Sequence, residues 1–318
     1  MAKILSGKIV NEKIAKELKT EISRRSSPSS GAKGSKPKLV IIQVGDLPES
    51  NAYIARKKAF GEKIGAIVDH QKFPENITQE KLITVISKLN TDSSVTGIIV
   101  QMPLPKHLDK DEIIESIKPQ KDVDGLTSQN IKKLWENKNG AIIPATTKGV
   151  LSLLSYYKIP VSRQKVVIVG RSSLVGKPTL LAFLNNDATV TVCHKATKNL
   201  PEQTKSADIL VVATGKPNLI GKEHVTKGQV VVDVGINVIE SSENVIASNS
   251  VAISKKTAAS LDKLGTRSDK LKKLVGDVNF AEVEPIVAAI SPVPGGIGPM
   301  TVASLFENLL EAYNKQTN

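Results

Sequence analysis

Residues 165–178 read KVVIVGRSSLVGKP: an apolar run to Val169 stops at Gly170, passes through Arg171, Ser172 and Ser173, and gives way to a helix-forming stretch. A strand buried on both faces of a parallel sheet carries continuous Val and Ile, and the helix after it presents free N–H groups where phosphate binds. The stretch therefore predicts the first βα turn of a nucleotide-binding unit. Its glycines, Gly170 and Gly176, depart from the G-x-G-x-x-G spacing, so on these residues alone an ordinary strand-to-helix turn stays open.

The next strand, ATVTVC at 188–193, runs into His194 and Lys195. NAD-selective folds place an acid about 20 residues beyond the glycines to receive the ribose hydroxyls. No acid stands at this strand end, and Arg171 with Lys195 could flank a 2′-phosphate, to which Arg makes a two-pronged contact. NADP is expected over NAD; the plainer alternative makes Lys195 the start of a solvated loop.

Working outward, strands are expected at 39–44, 67–73, 97–102, 208–213 and 229–234, with helices at 8–25, 51–65, 78–90, 148–158 and 299–313. Strands separated by helix-length segments mean parallel sheets and an α/β fold. A chain of 318 residues exceeds the size at which one core keeps growing, so two domains are expected. Residues 1–148 with 286–318 form a discontinuous N-terminal catalytic domain on a parallel sheet, and 149–285 a Rossmann-like dinucleotide domain. The Ser/Gly/Pro/Lys stretch at 26–38 reads as a mobile surface loop. Residues 238–274 read as a surface insertion with VIASNSVAIS as its only strand material.

Hydrophobic residues make up 40% of the chain, ample for folded cores, while the net charge of +13 points to anionic partners. An aromatic content of 3% argues against single-stranded nucleic acid, which needs stacking platforms, leaving anionic small ligands or plain surface lysine. A single cysteine, Cys193, rules out an internal disulfide or a Cys cluster and fits a reducing compartment. No apolar run approaches the roughly 20 residues of a membrane span, and no histidine has a partner at metal-ligand spacing. The cytoplasm is expected, with an organellar matrix left open; no metal, nucleic-acid or membrane partner is expected.

Several residues carry possible chemistry. Tyr53, Lys57, Phe60 and Ile64 share one helix face, placing a lysine in an apolar stripe. Burial and the neighbouring cations Arg56 and Lys58 would lower its pKa toward that of a general base; alternatively it snorkels into solvent. Gln101 ends GIIVQ at the carboxyl end of a strand, where an amide can donate and accept or simply cap a turn. KDVDGLT, 121–127, is first a turn signal, though one carboxylate there could accept two parallel N–H bonds from an aminopyrimidine edge. PVPGGIGPMT, 292–301, offers side-chain-poor backbone to a flat ligand, or is only a crossing loop. Met102–Pro103 and Val293–Pro294 are candidate cis bonds.

The ordered series SNAYIARKK, GIIVQMPLP, KDVDGLT, IPATTKG, VGRSSLVGKP, TVTVCHKAT, DILVVATGKP, VVDVGIN, GDV and PVPGGIGPMT resembles the bifunctional methylenetetrahydrofolate dehydrogenase/methenyltetrahydrofolate cyclohydrolase family over nearly the whole chain. The resemblance implies that Lys57 is the catalytic lysine of hydrolysis, Tyr53 stacks on the pterin, Gln101 holds Lys57 and Asp124 anchors the aminopyrimidine. It places Val100, Met102, Pro294, Gly295, Gly296, Ile297 and Thr301 along the folate cleft, and Gly170, Arg171, Ser172, Lys195, Thr214, Gly215 and Ile236 against NADP. Tetrahydrofolate derivatives would be the substrates and a homodimer the assembly. Ala145, Thr147 and Lys195 depart from the family pattern, which usually has Cys, Pro and Ser there.

Overall fold

The computed structural model describes residues 1–25, 36–241 and 271–317. After β1 (Lys3–Ile4) and α1 (Gly7–Arg25), the first lobe alternates β2 (Lys38–Val44), α2 (Pro48–Ile64), β3 (Ile67–Phe73), α3 (Gln79–Thr91) and β4 (Gly97–Val100). Three helices follow: α4 (Lys110–Glu115), α5 (Ser128–Trp135) and α6 (Ala145–Tyr156). The second lobe runs β5 (Lys165–Val169), α7 (Gly176–Leu184), β6 (Thr189–Cys193), α8 (Leu200–Lys205), β7 (Ile209–Val212) and β8 (Val230–Asp233). It continues through β9 (Asn237–Ser241), β10 (Leu271–Val275), α9 (Phe280–Val283) and β11 (Ala289–Ile290) before α10 (Ile297–Thr317).

Two parallel sheets result, one of three strands in the order β3-β2-β4 and one of six in the order β1-β11-β8-β7-β5-β6. Their central strands are apolar without alternation because both faces are covered. On β2, Leu39 and Ile41 face one core while Val40 and Ile42 face another; on β5, Val166 and Ile168 oppose Val167 and Val169 in the same way. The shared core draws on α1, α6 and α10, which fill the space between the sheets and join the lobes. Phe306 of α10, 1% exposed, meets Phe60 of α2 with ring centroids 5.2 Å apart.

Several expected elements shift. Helix α2 starts at Pro48 rather than 51, since a proline with fixed φ suits the first helical turn. Strand β4 ends at Val100, so Gln101 leaves the sheet although its N–H still bonds Ile42 O at 2.8 Å. α10 begins at Ile297, two residues before Pro299. The ends of the segment expected as an irregular insertion are strands: β9 and β10 pair antiparallel from Asn237↔Val275 to Ser241↔Leu271. VIASNSVAIS lies outside the described residues, as does the stretch at 26–38 apart from its last three residues, where Lys38 opens β2. Both Met102–Pro103 and Val293–Pro294 are cis. Among the described residues no helix is long and apolar enough to cross a membrane.

Candidate active site

Helix α2 places Tyr53 and Lys57 one turn apart, each half-buried, above Phe60 and Ile64, which are sealed in the core. Lys57 Nζ donates to Gln101 Oε1 at 2.9 Å, and Gln101 Nε2 donates to Met102 O at 2.9 Å, so the backbone turn aims the amide oxygen at the lysine. Ser50, buried in the first turn of α2, donates to the same Met102 carbonyl at 3.4 Å and ties helix to turn. Burial holds the Lys57 ammonium below the ordinary lysine range, and the Asp124 charge opposes it. The expected contribution of Arg56 and Lys58 is not what acts here: Arg56 sits over the Tyr53 ring at 5.6 Å, and the Lys58 charge falls on His70.

The two acids of KDVDG divide their work. Asp122, 1% exposed, accepts from Gly125 N (2.8 Å), Leu126 N (3.2 Å), Thr127 N (2.8 Å), Thr127 Oγ1 (2.7 Å) and Asn130 Nδ2 (2.9 Å), which fixes the turn. Asp124 is left to face Lys57; burial pushes its carboxyl up, the lysine opposes, and Asp122 adds to the rise. The structure thus joins Lys57, Gln101 and Asp124 in one cluster with Tyr53 beside it. Val100, 8% exposed, turns its side chain into the core, so only its backbone faces this cluster.

On the second lobe a close backbone cradle follows β5. Gly170 has φ +127°, and a Cβ there would stand 2.2 Å from Ala213 O; one at Gly176 would stand 2.3 Å from Gly170 O. Only glycine permits that packing; the first turn of α7 is already capped, with Lys177 N on Ser172 O at 3.0 Å and Pro178 carrying no N–H, so the free-amide phosphate site expected from the sequence is not formed here. Ser172 Oγ accepts from Val175 N (3.2 Å) and Gly176 N (3.4 Å), leaving its O–H to donate. Arg171 and Lys195 stand exposed at the carboxyl ends of neighbouring strands β5 and β6. The cradle and these two exposed cations suit a dinucleotide carrying an extra phosphate. Thr214 and Gly215 follow β7, where Thr214 donates both N–H and hydroxyl to buried Asp277.

A cleft of about 530 Å³ separates the lobes, walled by Val234–Ile236, Pro292–Pro299, Lys8 and Asn11 of α1, and Arg56, Ala59, Phe60 and Lys63 of α2. It gathers Ile236 with Pro294, Gly295, Gly296 and Ile297, while Lys57, Gln101 and Asp124 stand outside its wall. Thr301, in α10, turns its hydroxyl to Ile297 O (3.3 Å) and Thr146 Oγ1 (3.4 Å). At the position where the family pattern has proline, Thr147 is fully buried and meets Thr179 Oγ1 at 3.0 Å, linking α6 to α7.

Sequence reasoning passed over Ser50, the turn-building role of Asp122, and the buried acids Asp233 and Asp277. The signal for the last two was an acid ending VVVD and one inside GDV, both in apolar surroundings.

Two family models match the chain: the tetrahydrofolate dehydrogenase/cyclohydrolase catalytic domain over residues 5–124 and the NAD(P)-binding domain of the same family over 144–317. The bifunctional protein FolD of Sulfurihydrogenibium sp. is 42% identical over 315 residues, covering 98% of each chain. That of Ligilactobacillus salivarius is 40% identical over 311 residues, 98% of this chain and 96% of its own. The Campylobacter jejuni FolD crystal structure superposes with a TM-score of 0.85 at 38% identity, covering 99% of this chain and 100% of its own. The Trypanosoma brucei dehydrogenase-cyclohydrolase, complexed with NADP cofactor and inhibitor, gives 0.85 at 32% identity over 99% and 98%. Matched by both models over most of its length and by full-length relatives at about 40% identity, this chain belongs to the tetrahydrofolate dehydrogenase/cyclohydrolase family.

Proposed function

We propose that this enzyme of folate one-carbon metabolism oxidises 5,10-methylenetetrahydrofolate with NADP and hydrolyses the methenyl product to 10-formyltetrahydrofolate, with Lys57 as the proton carrier of the second step. The observation that carries the reading is the bond from Lys57 to Gln101 beside Asp124, where burial disfavours both the ammonium and the carboxylate charge. NADP, when bound, would supply the acceptor for a hydride leaving the methylene carbon. The methenyl cation left behind is stabilised by the lone pairs of its two folate nitrogens, so the chain's task in oxidation is to set one ring against the other. Gly170, Arg171, Ser172, Lys195, Thr214, Gly215 and Ile236 would hold the dinucleotide. The turn of Val100, Gln101 and Met102, the loop Pro294–Ile297, Thr301 and the Tyr53 ring would hold the folate.

In hydrolysis water adds to the bridge carbon, the bond from that carbon to N5 breaks, N5 takes one proton and the other leaves. An uncharged Lys57 accepts a proton from the water without repelling the cation, and Gln101 Oε1 then receives the N–H of the ammonium. Asp124 would accept the paired N–H bonds of the aminopyrimidine.

Residues 1–148 with 286–318 are taken as the folate domain and 149–285 as the cofactor domain, with β1 and β11 crossing to extend the cofactor sheet. A homodimer joined through the cofactor domains is supported by β6, which ends that sheet with half-exposed Thr189–Val192. The reading places the enzyme in the cytoplasm.

The test follows NADPH and methenyl-folate absorbance together for the parent and Lys57→Met. Hydrolysis should collapse in the variant while NADP binding persists. Equal hydrolysis in both proteins would remove Lys57 from the mechanism.

A further inference from the structure

Beside the interlobe cleft, two buried carboxyl groups hold the two segments that carry Thr214–Gly215 and Ile236. Asp277, 0% exposed, accepts at Oδ2 from Thr214 N, from Thr214 Oγ1 (2.9 Å) and from Gly215 N (2.9 Å), and at Oδ1 from Asn237 Nδ2 (2.9 Å). It thereby clamps the turn after β7 to Asn237, the residue next to Ile236. Asp233, 3% exposed, accepts from Gly235 N (2.9 Å), Asp277 N (3.1 Å) and Val278 N (2.9 Å). Its own N–H donates to Ser291 Oγ at 2.8 Å, one residue before the Pro292–Gly296 loop.

Both carboxylates are walled by glycine. A Cβ on Gly235 would lie 2.2 Å from Asp277 Oδ1, and one on Gly276 would lie 1.8 Å from Asp233 Oδ2. The chain spends side-chain-free positions to bring these acids against backbone. Burying two carboxyl groups side by side is expensive, and such a pair persists only where its oxygens are partnered; here seven donors meet them.

We propose that Asp277 is a positioning residue for oxidation and not for hydrolysis: it holds Thr214, Gly215 and, through Asn237, Ile236 in the conformation that receives the dinucleotide, while Asp233 links that clamp to the folate loop through Ser291. The proposal rests on the assignment of Thr214, Gly215 and Ile236 to the cofactor side. Hydrolysis of methenyl-folate needs no dinucleotide, so the two activities report on the clamp separately.

The experiment measures NADP affinity by titration, dehydrogenase turnover, and hydrolysis of supplied methenyl-folate for the parent, Asp277→Ala, Asp277→Asn and Asn237→Ala. Losing the acceptor should leave the Thr214 and Gly215 N–H groups free to swing, weakening NADP at least about tenfold in Asp277→Ala. Hydrolysis should stay within about twofold, as for a residue that touches only one of two reactions. Asp277→Asn keeps one oxygen for Thr214 while the Asn237 amide can turn over, so it should recover most NADP affinity. Asn237→Ala, which removes one donor from a half-buried residue, gives a milder selective loss should Asp277→Ala fail to fold. NADP affinity in Asp277→Ala or Asn237→Ala equal to that of the parent, or an equal fall of both activities in folded protein, would overturn the clamp. A parent that bound no NADP would instead overturn the cofactor assignment.

Discussion

Replacing Asp233 with asparagine should flatten the pH dependence of folding. Burial raises the Asp233 carboxyl from 3.8 to about 7, against the pull of the N–H groups of Val278, Asp277 and Gly235 and with the charge of Asp277 adding to the rise. The folded protein therefore keeps this proton up to about pH 7, whereas the unfolded chain releases it near pH 3.8. Between those values unfolding releases a proton, so stability falls as pH rises, and the loss is complete above the folded value. From pH 5 to about 7 the span is two units, and at about 1.4 kcal/mol per unit the group costs on the order of 3 kcal/mol. Asparagine is neutral throughout and has the same shape. The assay is denaturant unfolding of parent and variant, free of ligands, at pH 5 and pH 8. The difference of their pH differences should be on the order of 3 kcal/mol, with titrating groups that do not touch Asp233 cancelling. Parallel pH dependences in the two proteins would refute the placement of a neutral acid at this position.

Gln101→Ala removes the acceptor that favours the Lys57 ammonium, so hydrolysis should fall roughly 10- to 100-fold and the acid limb of its pH profile should move to lower pH; methenyl-folate decay across pH reads both. Asp122→Ala frees five donors and should destabilise the chain by about 3 kcal/mol or more in urea titration. Asp124→Ala, with no such network, should weaken folate affinity while stability stays within about 1 kcal/mol.

The parallel sheets were legible because β5, β7 and β8 carry unbroken Val, Ile and Leu apart from Lys165 at one strand start and Asp233 at one strand end, the pattern of strands covered on both faces. Strands β1 and β11 carried no such signal: two residues cannot show a period, and their pairing depends on contact across nearly the whole chain. The ribbon of β9 and β10 was hidden by its composition, since its lysines and asparagine read as loop. At the site, the apolar stripe of α2 gave Lys57 its burial, but the charge opposing that burial comes from Asp124, 67 positions along. Only folding brings those two together. Three of the five donors on Asp122 were equally invisible, because they are backbone N–H groups, which have no sequence signature.

Where the chain passes between lobes, the crossings lie side by side. Lys8 N bonds Gly295 O at 3.2 Å, a Cβ on Gly7 would stand 1.9 Å from Gly296 O, and Ser6 bonds the Tyr157 hydroxyl through both its N–H (2.9 Å) and its carbonyl (3.2 Å). Three passages gathered along one line act like the spine of a bound book. Sewn along one line, facing pages keep their alignment, and these contacts likewise fix the register in which the two sides of the cleft face each other.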